Sequence, residues 1–245
     1  MDPTYISILL FLIITIIYYF VLKPTISVEK LMNPDQSILS GQKITAVIIY
    51  FLFIVSTQFF VNSVIIVNKC GGSVPKNIGV AGIMTLIPWS FIFGSIIVVL
   101  LLFPGFKSAF SNVVGYFAVA GSANKIINEL LVNNDAVRIA NGDPALVSTA
   151  EAVIKLFGDV SVLINQIVPE NFISFWELLT PLMKPDLSID KKEELKEELL
   201  KIVILRDNIG EGLWYFYTAI LLISIVQYNI TVKGCVPDWC SHLWY

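Results

Sequence analysis

The sequence predicts an all-α polytopic membrane protein, with about four transmembrane helices and a helical extramembrane region between the third and fourth. Three observations carry that prediction. Of the 245 residues, 56% are hydrophobic and only 14% charged, where an ordinary soluble domain carries about 25% charged residues. Mean hydropathy is +0.77. Four apolar runs each reach the roughly 20 residues that a helix needs to cross a bilayer, and none contains Asp, Glu, Lys, Arg or His.

The runs cover residues 5–22, 44–67, 78–103 and 213–232. The first has no basic residue before it, only Asp2. Lys23-Pro24 follows it instead of a small-residue cleavage site, so it reads as a retained span and not a leader. The second holds Gln58 and Asn62 four residues apart on one helix face, and the fourth holds Ser224 and Gln227 on another. These four are expected to make polar contacts between helices. The third contains Pro88, expected to kink the helix near Met84, and the small pair Ser90 and Gly94. Tryptophan and tyrosine prefer the headgroup level, which makes Trp89, Trp214, Tyr215, Trp239 and Trp244 candidate interface anchors. The domains expected are 1–105 with three spans, 106–212 as an acidic membrane-proximal helical region, and 213–245 with the last span and a cysteine-containing tail.

Four spans put both termini on one side together with loop 68–77. Lys69, Lys76 and Lys233 flank the membrane there, while Lys23, Lys30, Lys43, Lys107 and Arg206 flank the opposite side. That small excess assigns residues 106–212 to the cytoplasmic-type face. Cys70, Cys235 and Cys240 all fall on the terminal side, where disulfides are permitted, and are candidates for a bridge. With three thiols, one is left over or pairs between chains.

Region 106–212 holds ten basic and fifteen acidic side chains, a net of −5. An acidic surface does not track a phosphate backbone, so no nucleic-acid partner is expected. Apolar spacing predicts helices at 124–132, 145–168 and 191–205, the second opened by Asp143-Pro144 and the third by a capping box of Asp190 and Glu193, with Asn208 or Gly210 ending it. Residues 106–123 are nearly uncharged and read as an interfacial or re-entrant segment.

Chemistry is sparse. The single histidine, His242, neighbours Cys240 near the C-terminus, and C-x4-C-x-H lacks a usual zinc spacing. No catalytic, cofactor or metal site is expected, and an enzyme is the least supported class. The stretch Ser111-Asn112-Val113-Val114-Gly115-Tyr116-Phe117 shares Val-Gly-Tyr with the filter loop of potassium channels. An ion channel or pore is therefore the alternative function. Against it, the second filter glycine is replaced by Phe117, and nearly a hundred residues separate Tyr116 from the next span.

Several stretches together carry a resemblance: MDPTYI at 1–6, IPWSFIFG at 87–94, FPGFKSAFSNVVGY at 103–116, and GLWY at 212–215 through VQYN at 226–229 to Cys235. In this order they resemble a family of membrane-embedded minor capsid proteins of large icosahedral double-stranded DNA viruses, of the algal-virus and giant-virus kind. The resemblance covers about half the chain, its spans and flanks. It implies a structural protein of the virion's internal membrane, with the lipid bilayer and capsid or other virion proteins as partners. Homo-oligomerisation is compatible with it, and it implies no catalytic residue and no cofactor.

Overall fold

The computed structural model describes residues 3–33, 36–70, 74–131 and 160–233. The expected helix at 145–168, with its Asp143-Pro144 start, lies mostly outside them. Among the described residues every regular element is helical, and four helices are long and apolar enough to cross a membrane. The chain is thus all-α and polytopic. It divides into two compact units, one of 1–24, 40–104 and 212–245, the other of 25–39 and 105–211.

The first unit holds α1 (Pro3–Ile17), most of α3 (Gln36–Cys70), α4 (Val74–Pro88) and α5 (Gly94–Leu102). It also takes the second part of α10 (Ile189–Lys233). The inward faces make one core: Phe11, Tyr18, Tyr50, Ile54, Trp89, Phe93, Tyr215, Leu222 and Val226 are all buried. The outward faces are just as apolar, with Phe20 86% and Phe91 72% exposed. Helices that are hydrophobic all round belong in a medium as apolar as their core, which is how a membrane span differs from a surface helix.

Two π-turns interrupt these spans. Tyr18–Leu22 closes the first, and Trp89–Phe93 joins α4 to α5. Pro88 has no N–H, and its ring displaces the carbonyl of residue 84. The helix answers by widening into a π-turn directly after the proline, within an otherwise continuous run from Val74 to Leu102. In the last turn of α3, Lys69 donates through Nζ to the carbonyls of Ile230 (3.1 Å) and Thr231 (2.8 Å). A lysine thus satisfies orphan carbonyls in the last turn of α10, where a cation also suits the helix dipole.

The second unit contains α2 (Val28–Met32), α6 (Ser108–Phe110), α7 (Tyr116–Leu130), α8 (Val160–Gln166), α9 (Phe172–Leu179) and the first part of α10. A π-turn, Ser111–Gly115, joins α6 to α7. The core joins Val119, Ala123, Ile126, Ile127 and Leu130 of α7 to Leu195, Leu199, Leu200, Ile202 and Val203 of α10, with Phe172 and Trp176 of α9. Stretch 104–130 runs antiparallel to α10: Gly210 meets Ser111, Gly115 meets Arg206, and Lys191 pairs with Glu129 at 3.3 Å. The main chain of Val28 donates to Glu197 Oε1 at 3.1 Å, which fixes α2 to α10.

Two boundary expectations are corrected here. The helix expected at 191–205 begins at Ile189, and Ser188 is its cap, its Oγ accepting from Lys191 N at 3.2 Å. Asp190 lies inside the first turn and cannot serve as the N-cap. Nor does the helix stop at Asn208 or Gly210. It continues unbroken to Lys233, because Gly210 is used for close packing and not to turn the chain.

Candidate functional site

The densest chemistry lies in the second unit, where 104–115 meets α10. Lys107 reaches Asp207 Oδ2 at 3.2 Å and Glu211 Oε2 at 3.2 Å. Asp207 and Glu211 are four apart, so one helix face presents both carboxylates to one ammonium. All three side chains are at most 12% exposed. Burial alone would lower the Lys107 ammonium, but the carboxylates of Glu211 and Asp207 outweigh it and hold the group above its ordinary value, with a smaller contribution from Glu170.

Beside them Arg206 is fully buried. Its two terminal nitrogens donate to main-chain carbonyls, one to Ile164 and the other to Ile167 at 2.7 Å. Those carbonyls belong to the last turn of α8 and the residue just after it, where intrahelical donors run out, and the Ile164 carbonyl accepts from Ile167 N as well, at 3.3 Å. Arg206 Nε has no partner among the described residues, nor do the carboxamide oxygens of Asn112 and Asn165. The Asn165 side chain is held from its other end, Nδ2 donating to the main-chain carbonyl of Asn112 at 3.3 Å. The cluster therefore holds two cations and two carboxylates in one buried layer.

Two glycines let the helices approach closely enough to form it. A Cβ on Gly115 would lie 2.6 Å from the Arg206 carbonyl oxygen, and one on Gly210 would lie 2.7 Å from Ser111 Cβ. Sequence reasoning singled out Gly115 as a filter glycine. Here it lies in a helical turn whose carbonyls accept helix bonds, Tyr116 N donating to the carbonyls of Ser111 and Val113.

The expected polar contacts of the spans divide three to one. Gln58 is buried and donates to the Ser7 carbonyl at 3.0 Å. Asn62 is buried, donates to Thr85 Oγ1 at 2.9 Å and accepts from Gln227 Nε2 at 2.8 Å. A third tie, Thr15 Oγ1 to Tyr50 OH at 2.9 Å, was not anticipated. Ser224 is a correction: it is exposed and returns its hydroxyl to the Ile220 carbonyl of its own helix. It faces away from the neighbouring helices, so the backbone four residues back is its available acceptor.

Two interface anchors are corrected as well. Trp89 is 0% and Tyr215 1% exposed. Both sit in the aromatic core, Trp89 with Phe93 at 5.4 Å between ring centroids and Tyr215 with Tyr50 at 5.4 Å. The π-turn after Pro88 and the packing of α10 turn these rings inward, and ring-on-ring contact replaces the headgroup as their surroundings. Trp214 is half-buried at the edge of the same core. Cys70 is disulfide-bonded. Cys235, Cys240, Trp239, His242 and Trp244 lie outside the described residues. Among the described residues no group of His, Cys, Asp and Glu could hold a metal ion. No protein-family model, curated protein or solved structure matches the chain.

Proposed function

We propose that the chain is a structural membrane protein of a virion, whose four apolar helices anchor a helical unit to the internal lipid membrane, with that unit contacting capsid proteins. One observation carries the reading. The stretch FPGFKSAFSNVVGY, which bears the strongest part of the resemblance, supplies Lys107, Ser111 and Gly115. These are the residues that fasten stretch 104–115 to α10. The signature is thus spent on architecture.

The polar groups of the spans support the same reading. Gln58, Asn62, Thr85 and Gln227 are engaged in ties between helices, a use that fits packing in a medium where unsatisfied polar groups are costly. Outside the buried layer the second unit presents acidic side chains, Glu193, Glu194 and Glu198 among them, all exposed on α10. A basic capsid surface would complement them.

Cross-linking of purified particles followed by mass spectrometry tests the proposal. Cross-links from Lys125, Lys184 or Lys192 to capsid protein are the expected result. Presence of the chain in infected-cell membranes, with absence from the particle, would overturn it.

A further inference from the structure

Within the first unit, α3 and α10 finish side by side. Lys69 and Cys70 are the last two residues of α3. The Lys69 ammonium holds the carbonyls of Ile230 and Thr231, and α10 ends two residues later, at Lys233. Cys70 is half-buried and packs on the core that contains Ile66 and Ile230, both at most 1% exposed. Its thiol is not free: Cys70 is disulfide-bonded. The chain has three cysteines, so within one chain its partner is Cys235 or Cys240. Either choice removes the tail-only bridge between Cys235 and Cys240.

Distance along the chain chooses between the two. A disulfide needs Cα atoms about 4.4–6.8 Å apart. The Lys69 tie already brings the main chain of Ile230 and Thr231 to the residue beside Cys70. Cys235 lies four residues beyond Thr231 and two beyond the end of α10, where Cys240 lies nine and seven beyond. Closing the shorter connection costs less chain entropy. Pro237 also stands between the two cysteines. It has no N–H for a helical bond, so a helical continuation of α10 reaches Cys235 before it meets the proline.

We propose that Cys70 bonds to Cys235 and that Cys240 stays a thiol. The bond forms by exchange with a disulfide donor. One thiolate attacks the donor, the second displaces the donor's remaining sulfur, and the donor leaves as two thiols carrying the two electrons and the two protons. The ends of α3 and α10 are then fastened twice, once by the Lys69 ammonium and once by a covalent bond that encloses most of the chain. Long enclosed loops are the ones a disulfide stabilises most. Such bonds persist in oxidising compartments, so in the membrane-anchored reading this end of the first unit faces one. The pairing itself does not depend on that reading.

Peptide mapping tests the pairing on the full chain. The protein is purified in detergent, equilibrated with oxidised and reduced glutathione, and its free thiols are blocked with N-ethylmaleimide before digestion. Trypsin cuts after Lys69, Lys76 and Lys233, and chymotrypsin after Trp239 separates Cys235 from Cys240. Expected is peptide 70–76 linked to peptide 234–239, with the maleimide on Cys240. A link from 70–76 to the Cys240 peptide, a link between Cys235 and Cys240, Cys240 joined to a second copy, or a maleimide on Cys70 overturns the proposal. Thermal melting with and without reductant adds a functional readout. Reduction should lower the melting temperature of the unaltered chain and of Cys240→Ser by the same several degrees, and should leave Cys235→Ser unmoved. The reverse assignment, with Cys240→Ser insensitive to reductant and Cys235→Ser sensitive, also overturns it.

Discussion

Lys107 is the single side chain on which the buried layer depends. Removing it leaves Asp207 and Glu211 facing each other's charge in a site at most 12% exposed. Breaking one partner out of a buried pair costs about 3–5 kcal/mol. Lys107→Met should therefore lower unfolding stability in detergent by that amount, measured by denaturant titration. Adding Glu211→Gln should recover part of the loss, because the charge left unpaired is what costs most. The pH dependence has a definite sign. A lysine held above its ordinary value contributes in full below that value, about 10.4, and loses its contribution only as pH rises beyond it. The lysine itself should accordingly stay charged up to about pH 9, while the Lys107→Met penalty should shrink as pH falls, because Asp207, already raised by burial, takes up a proton once the ammonium is gone.

Among the elements, the junction of stretch 104–115 with α10 is set by two helical glycines, and a third glycine serves as the control. Alanine at Gly115 or Gly210 places a methyl against main chain or a fixed Cβ at under 3 Å. Overpacking of this kind costs about 1–3 kcal/mol. Gly121, in α7, meets nothing within 4 Å. Gly121→Ala should stabilise by about 0.4–1 kcal/mol through the unfolded state and helix propensity. Opposite signs for Gly115→Ala and Gly121→Ala in thermal melts would separate the packing argument from a general intolerance of change. The spans themselves were legible, because a charge-free run of about twenty apolar residues has few other uses. The 45-residue α10 was not. Its sequence places Arg206, Asp207, Gly210, Glu211 and Gly212 in succession, a pattern that reads as a loop at the membrane edge. Only the partners explain why the helix continues, and those partners, Lys107, Ser111 and Gly115, lie about a hundred residues away in the chain. The inward turn of Trp89 and Tyr215 was hidden for a related reason: composition places an aromatic near a bilayer surface but does not choose which face of the helix it occupies.

The molecule divides into two units with separate cores. Apolar helices tied by Gln58, Asn62, Thr85 and Gln227 form the membrane unit. A helical unit with its own core, Val119 to Leu130 against Leu195 to Val203, forms the other. If all four apolar helices cross, the expectation is that residues 105–211 and the C-terminal tail are on opposite sides of the membrane. Protease protection in sealed, uniformly oriented vesicles tests this directly, with one epitope tag appended after Tyr245 and a second inserted at the turn by Pro185 and Asp186. The account predicts that protease added outside removes one tag and spares the other, and that reversing vesicle orientation exchanges them. Loss of both tags together from the same side would contradict it, because the single last span would not then separate the tail from residues 105–211.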